Sequence, residues 1–164
     1  MTLTTHAIVG AAAAKLFPQH YILAFCAGFI SHFFIDAIPH WDYALGSMKK
    51  DEKNPLNNDM VFGRSFVLDL LDISFDFFLA LFLPLLIFGS NEISQSFVVL
   101  CGVVGGVLPD ALQFAYFKFR REPLTSLQKF HQWIHADTKI ESWKRGIPAQ
   151  LALVAVVIFI STKI

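Results

Sequence analysis

Residues 65–88 read SFVLDLLDISFDFFLALFLPLLIF, an apolar run that nevertheless carries Asp69, Asp72 and Asp76. A membrane-spanning helix needs about 20 predominantly apolar residues, and this run has that length. Each aspartate inside a span costs about 2.5–3.5 kcal/mol on insertion scales, so such residues face a protein interior and a partner. A chain containing this segment must therefore set one face of a lipid-exposed helix against something that accommodates carboxylates. Composition excludes the main competitor, a soluble helical domain. The 164 residues are 55% hydrophobic and 16% charged, whereas soluble domains carry about 25% charged residues. The mean hydropathy is +0.54, and a soluble protein of this size has too little interior to hide so much apolar surface.

Four further apolar stretches lie at about 4–17, 20–38, 92–108 and 147–162. The first is short and Ala-rich and is ended by Pro18, which suits a full span or a re-entrant half-span. Together these predict an all-α, polytopic integral membrane bundle of about five hydrophobic helices, organised as one domain over residues 1–164. Polar loops are expected at 39–64 and 109–146. Within the second loop, a Thr125–Gln128 capping box predicts a helix starting near 125. Phe130, Trp133 and Ile134 make that helix amphipathic, lying on the cytoplasmic surface of the membrane. The GVVGG run at 102–106 suits close helix packing.

Charge placement orients the bundle. With a cytoplasmic N-terminus, both polar loops face inward and hold 11 of the 13 basic residues, Lys139 among them, leaving Lys15 and Lys163 outside. This is a strong positive-inside bias. If the first segment does not cross, the N-terminus moves outside and the rest is unchanged. A net charge of zero provides no basic field for nucleic acid. Cys26 and Cys101 lie in apolar runs without CxxC spacing, so they read as small packing thiols. The N-terminus lacks the basic region of a signal peptide and reads as part of the mature protein.

With this topology the unusual polar residues gather at one level. His6 opens the first segment, His32 and Asp36 end the second, His40 and Asp42 follow it, and Asp110 caps the fourth, in GGVLPD. His20 lies at the opposite side. His32 and Asp36, spaced i and i+4, share a helix face. Asp69, Asp72 and Asp76 lie within about 60° of one another on a helix. In HQWIH, His131 and His135 have the spacing by which two imidazoles can reach one metal ion. Three carboxylates on one face repel unless protonated or neutralised, and no intramembrane Lys or Arg is present to pair with them. A divalent metal is the simplest counter-charge, with zinc first and manganese or iron as alternatives for mixed His/Asp ligation. Taken singly, each residue also has a plainer reading: an interfacial histidine, a hydrogen-bonded helix pair, a dipole-stabilised aspartate near a helix start or a turn residue.

At these positions the chain resembles a known family. TTHAIVG, HFFIDAIPHWD and GGVLPD look like segments of bacterial inner-membrane proteins described as membrane-bound metal-dependent hydrolases. More distantly, the all-helical, His/Asp-rich pattern is similar to zinc-dependent phospholipase C. The resemblance implies that His6 is the Thr-His histidine and Asp110 the Leu-Pro-Asp aspartate, with His32, Asp36, His40 and Asp42 in the metal-side set. The sequence departs from the pattern in two places. PDALQF stands where an Asp-x-Asp-His continuation is expected, and HQWIH stands where a His-Arg-Gly…Thr-His-Ser segment would be.

The expected protein is thus a metal-dependent hydrolase of the inner membrane, acting on a phosphoester or lipid head group at the cytoplasmic face. The first-choice metal ligands are His32, Asp36, His40 and Asp110, with Asp72 and Asp76 next and His6 and Asp69 behind them. His131 and His135 are ligands of a second ion or a general acid/base pair. Asp42 completes the catalytic set, and Asp42 and His6 are also candidates for orienting ligands. No Gly-rich phosphate loop and no Gly-x-Ser-x-Gly elbow is present, which argues against nucleotide or serine-hydrolase chemistry. The competing expectation is a non-enzymatic metal protein, with a structural site or a role in metal transport.

Overall fold

The computed structural model describes residues 1–138 and 140–163; Lys139, one of the basic residues assigned inward, lies outside them. The described chain is predominantly helical: α1 (Leu3–Ala14), α2 (Tyr21–Asp36), α3 (Arg64–Phe88), α4 (Ile93–Phe119), α5 (Leu124–Ile134) and α6 (Trp143–Ser161). The 39–64 loop folds into a short 3-10 turn, Pro55–Asn57, and a minimal antiparallel ladder, Met48–Lys49 with Asp59–Met60.

Three helices, α3, α4 and α6, are long and apolar enough to cross a membrane, fewer than the expected five. Helices α1 and α2 are apolar but shorter. With 12 residues, α1 rises only about 18 Å, a half-span. Thr2 caps it by accepting from the Thr5 amide, satisfying one of the four orphan donors of a helix start.

That short helix is the centre of the molecule. Thr5 through Ala12 are buried, as is Ala14, with α2, α3, α4 and α6 arranged around it. Small side chains make this possible. A Cβ at Gly106 would run into the His6 carbonyl, and one at Gly102 into the Gly10 carbonyl. On the other side, Cβ atoms at Gly28 and Gly105 would strike backbone of α4 and α2 respectively. In lipid no hydrophobic force draws helices together, so close packing of such small-residue faces supplies the association. The GVVGG run is the seam at which α1 and α2 meet α4. Outward, Leu68, Leu71, Phe75, Phe78, Phe82 and Leu86 of α3 are exposed along the whole helix, as a lipid-facing surface requires.

Two sequence expectations are corrected by helix ends. Helix α4 does not stop at 108: it continues through Pro109 to Phe119, so Asp110 is an interior residue rather than a cap, and the connecting segment starts at 120. Proline removes one backbone bond, but the apolar run ALQFAYFKF that follows still has a core to pack against, with Tyr116 and Phe117 buried. Helix α5 begins at Leu124, with Pro123 at the N-cap and no side-chain cap bond. The Thr125–Gln128 capping box does not form, and Gln128 is buried instead.

Candidate metal centre

Five segments meet near the start of α1. Helix α1 brings His6, α2 brings His32 and Asp36, the turn after it brings His40 and Asp42, α4 brings Asp110, and α5 brings His131 with His135 just beyond its end. The backbone holds these pieces in register. The Ala136 amide donates to the Asp36 carbonyl at 2.9 Å and the Ile140 amide to the His40 carbonyl at 2.9 Å, which sets the His135 ring 4.8 Å from that of His40. Gln150 of α6 acts as a clamp that the sequence reading missed, although a glutamine in an apolar span was the available signal. Its Oε1 accepts from the Thr2 amide and the Thr5 hydroxyl, while its Nε2 donates to the Trp41 carbonyl.

Asp36 is the hub. One oxygen, Oδ2, lies 2.9 Å from His131 Nε2 and 3.2 Å from His32 Nε2. The other, Oδ1, lies 3.2 Å from His6 Nε2 and 3.7 Å from His40 Nε2. His32 Nε2 is also 3.3 Å from His131 Nε2 and 3.8 Å from Asp110 Oδ1. Asp42 spans the outer pair, with Oδ1 2.8 Å from His40 Nε2 and Oδ2 3.7 Å from His135 Nε2. The α-amino group of Met1 lies 2.8 Å from Asp42 and 3.7 Å from Asp36. His6 stacks on His32 with ring centroids 3.9 Å apart.

The hydrogen bonds of the rings fix what they present inward. A carbonyl oxygen only accepts, so a ring nitrogen bonded to one must carry the proton. His32 Nδ1 donates to the Gly106 carbonyl at 2.8 Å, His40 Nδ1 to the Ile38 carbonyl at 2.7 Å, and His135 Nδ1 to the Ala136 carbonyl at 3.2 Å. In its neutral form each ring turns an Nε2 lone pair toward carboxylate oxygens. Acceptors facing acceptors at these distances repel unless the ring takes a second proton or a metal ion stands between them. Among the described residues, both ring nitrogens of His6, Asp36 Oδ1 and His40 Nε2 are buried without a hydrogen-bond partner. Backbone carbonyls that orient the far nitrogen of an imidazole are the usual outer support of metal-ligating histidines.

Among the described residues, three overlapping groups offer ligand atoms within 4.8 Å of one another: His6/His32/Asp36, His32/Asp110/His131 and Asp36/His40/His135. His131 and His135, expected to share an ion by their spacing, fall in different groups because α5 ends between them. The α3 aspartates stand apart from all three groups. Asp76 accepts from the Leu3 amide at 2.6 Å, the Thr4 amide at 3.2 Å, the Thr4 hydroxyl and the Tyr43 hydroxyl. It therefore neutralises the start of α1, where the helix dipole favours an anion. Asp69 accepts from the Gly46 and Ser47 amides at 3.0 and 2.8 Å, which anchors the loop. Asp72 is exposed on α3. Burial, and then the Asp76 carboxylate, push the Tyr43 phenol well above its ordinary pKa, so it remains a donor.

A cavity of about 990 Å³ opens beside the cluster. Asp36, Asp42, Asp110, His131 and His135 reach its wall, and Phe66, Leu70, Phe114 and Phe117 supply an apolar side. No family model, curated protein or solved structure matches the chain.

Proposed function

We propose that the protein is a membrane-embedded, metal-dependent hydrolase acting on a phosphoester or lipid head group at the cytoplasmic face of the inner membrane, with its N-terminus cytoplasmic. The observation that carries this reading is the set of three imidazoles whose Nδ1–H groups are committed to backbone carbonyls and whose Nε2 atoms face carboxylates at a cavity wall. Mixed His/Asp ligation in a tight shell favours zinc, with manganese and iron as alternatives. A divalent ion acidifies water and polarises a phosphoryl or carbonyl oxygen.

The chain's own residues supply the rest. His32, Asp36, His131 and Asp110 provide ligand atoms. The Gly106 and Ile38 carbonyls hold the rings of His32 and His40 in orientation. Asp42 is 25% exposed and contacts two imidazoles, so it is placed to take a proton from an attacking water and return it to a leaving group. The apolar wall excludes water and accepts the non-polar part of a substrate. A cavity of about 990 Å³ is at the upper end of the roughly 300–1,000 Å³ of small-ligand sites.

The second reading, a purely structural metal, predicts a closed ligand set; the cavity wall formed by the ligand residues favours catalysis. Two measurements separate the readings. The first is elemental analysis of the detergent-solubilised protein beside the His32→Ala/Asp36→Ala variant, and the second is hydrolysis of soluble phosphoesters and of phospholipids in mixed micelles. Stoichiometric metal in the wild type, absent from a folded variant, with chelator-sensitive turnover, is the expected result. Metal without turnover on any substrate would leave the structural reading, and no metal in either protein would remove both.

A further inference from the structure

The two oxygens of Asp36 point to different ligand sets. On the Oδ2 side are His32 Nε2 at 3.2 Å and His131 Nε2 at 2.9 Å, with Asp110 Oδ1 3.8 Å from His32. On the Oδ1 side is His40 Nε2 at 3.7 Å, grouped with His135 within 4.8 Å. His6, 3.2 Å from Oδ1 and stacked on His32, flanks the carboxylate between the two sets. Together the three groups offer seven ligand residues, more than the four that a single tetrahedral ion takes. The orientation of His40 agrees with a second ion: its Nδ1–H is tied to Ile38, which turns Nε2 toward Asp36 Oδ1 at 3.7 Å and Asp42 Oδ1 at 2.8 Å.

Resting on the metal reading above, we propose that the site is dinuclear, with Asp36 as the bridging carboxylate. Ion A is held by Asp36 Oδ2, His32, His131 and Asp110. Ion B is held by Asp36 Oδ1, His40 and His135, with its remaining position open to the cavity. A is the filled, anchoring site, and B is the site that meets substrate. Paired ions of this kind, about 3.5–4 Å apart, clamp the attacking and leaving oxygens of an in-line displacement. Charge agrees with an anionic substrate. Two divalent ions outweigh Asp36, Asp42 and Asp110, so a phosphoester brings the site toward neutrality. The competing arrangement is one divalent ion with the Met1 ammonium beside Asp42 and Asp36 as the second cation.

Metal content decides between them. The full chain is purified in detergent, loaded with zinc, freed of excess metal and compared with His131→Ala and His40→Ala. Two ions per chain in the wild type and about one in each variant are expected, since each substitution removes a ligand of one ion only. One ion per chain in the wild type would overturn the proposal while leaving the mononuclear reading intact, and no ion would overturn the metal reading itself. Should either variant fail to fold, the wild type loaded with manganese provides the same decision. A carboxylate-bridged pair gives an exchange-coupled paramagnetic resonance spectrum, whereas the six-line spectrum of an isolated ion would overturn the assignment.

Discussion

Tyr43 and Asp76 show how one carboxylate is tolerated at depth. Asp76 has three donors from the first turn of α1 and a fourth in the Tyr43 hydroxyl, so its charge is neutralised by the helix start rather than by a metal. Removing the phenolic donor with Tyr43→Phe should destabilise the protein by about 1.5–3 kcal/mol, the range for a hydrogen bond to a charged group. The contribution depends on pH in a definite direction. The folded phenol titrates above its unfolded value, so its stabilisation is complete below about pH 10, the ordinary tyrosine value, and is lost as pH rises beyond it. Thermal unfolding in detergent should therefore show a constant gap between wild type and Tyr43→Phe from pH 7 to 9.5 that closes above pH 10. A gap that stays constant to pH 11 would contradict this account of Asp76.

Helix α1 is a half-span whose position depends on glycine contacts. His6 reaches the site only because α1 lies directly on α4, where Gly106 faces the His6 carbonyl and the Gly10 Cα. Neither obstacle is a side chain that can rotate away. Gly106→Ala should cost about 1–3 kcal/mol as overpacking and should weaken metal retention as well, because His6 and the Gly106–His32 hydrogen bond move with the seam. Gly63→Ala is the control, since a Cβ there meets nothing within 4 Å, and it should change stability by less than about 0.5 kcal/mol. Comparable losses in both variants would show that backbone freedom, rather than close approach, explains the glycines.

The assembled bundle places the site deeper than the ends of its long helices. Helix α1 begins at Asp76, near the midpoint of α3, and ends where Lys15 reaches Phe88 and the Ser161 carbonyl. The first half of α3 and the last turns of α4 therefore extend past the site and flank the cavity. The three long helices and the distribution of basic residues predict that the loop carrying Lys53 and the turn carrying Arg121 share one side of the membrane, opposite Asn91. In a Cys26→Ser/Cys101→Ser background, Lys53→Cys and Arg121→Cys should react with an impermeant maleimide only from the cytoplasmic side, and Asn91→Cys only from the other. Labelling of Lys53→Cys and Asn91→Cys from the same side would remove α3 as a span.

What could be read along the chain was whatever depends on local composition and spacing. Hydropathy locates all five apolar helices, because a helix in lipid satisfies its own backbone and announces itself by apolar length alone; it misjudges their lengths, since 20–38 reads as a full span and 92–108 as a short one, whereas α2 has 16 residues and α4 has 27. The polar residues of 32–42, with His6, Asp110, His131 and His135, stand out in the same way, as costly groups in oily surroundings. Their partition could not be read. Asp69, Asp72 and Asp76 have the same spacing logic as His32 and Asp36, yet two of them bind backbone amides and the third is exposed, because that outcome depends on which helix start lies opposite. Pro109 reads as a stop signal, but α4 continues through it because its later residues find a core. HQWIH reads as one ligand pair, but α5 ends between its histidines: His131 Nε2 lies 2.9 Å from Asp36 Oδ2, and His135 Nε2 lies 3.7 Å from Asp42 Oδ2. Spacing along a chain states which residues share a face of their own helix. Only the packing of one helix against another decides what that face meets.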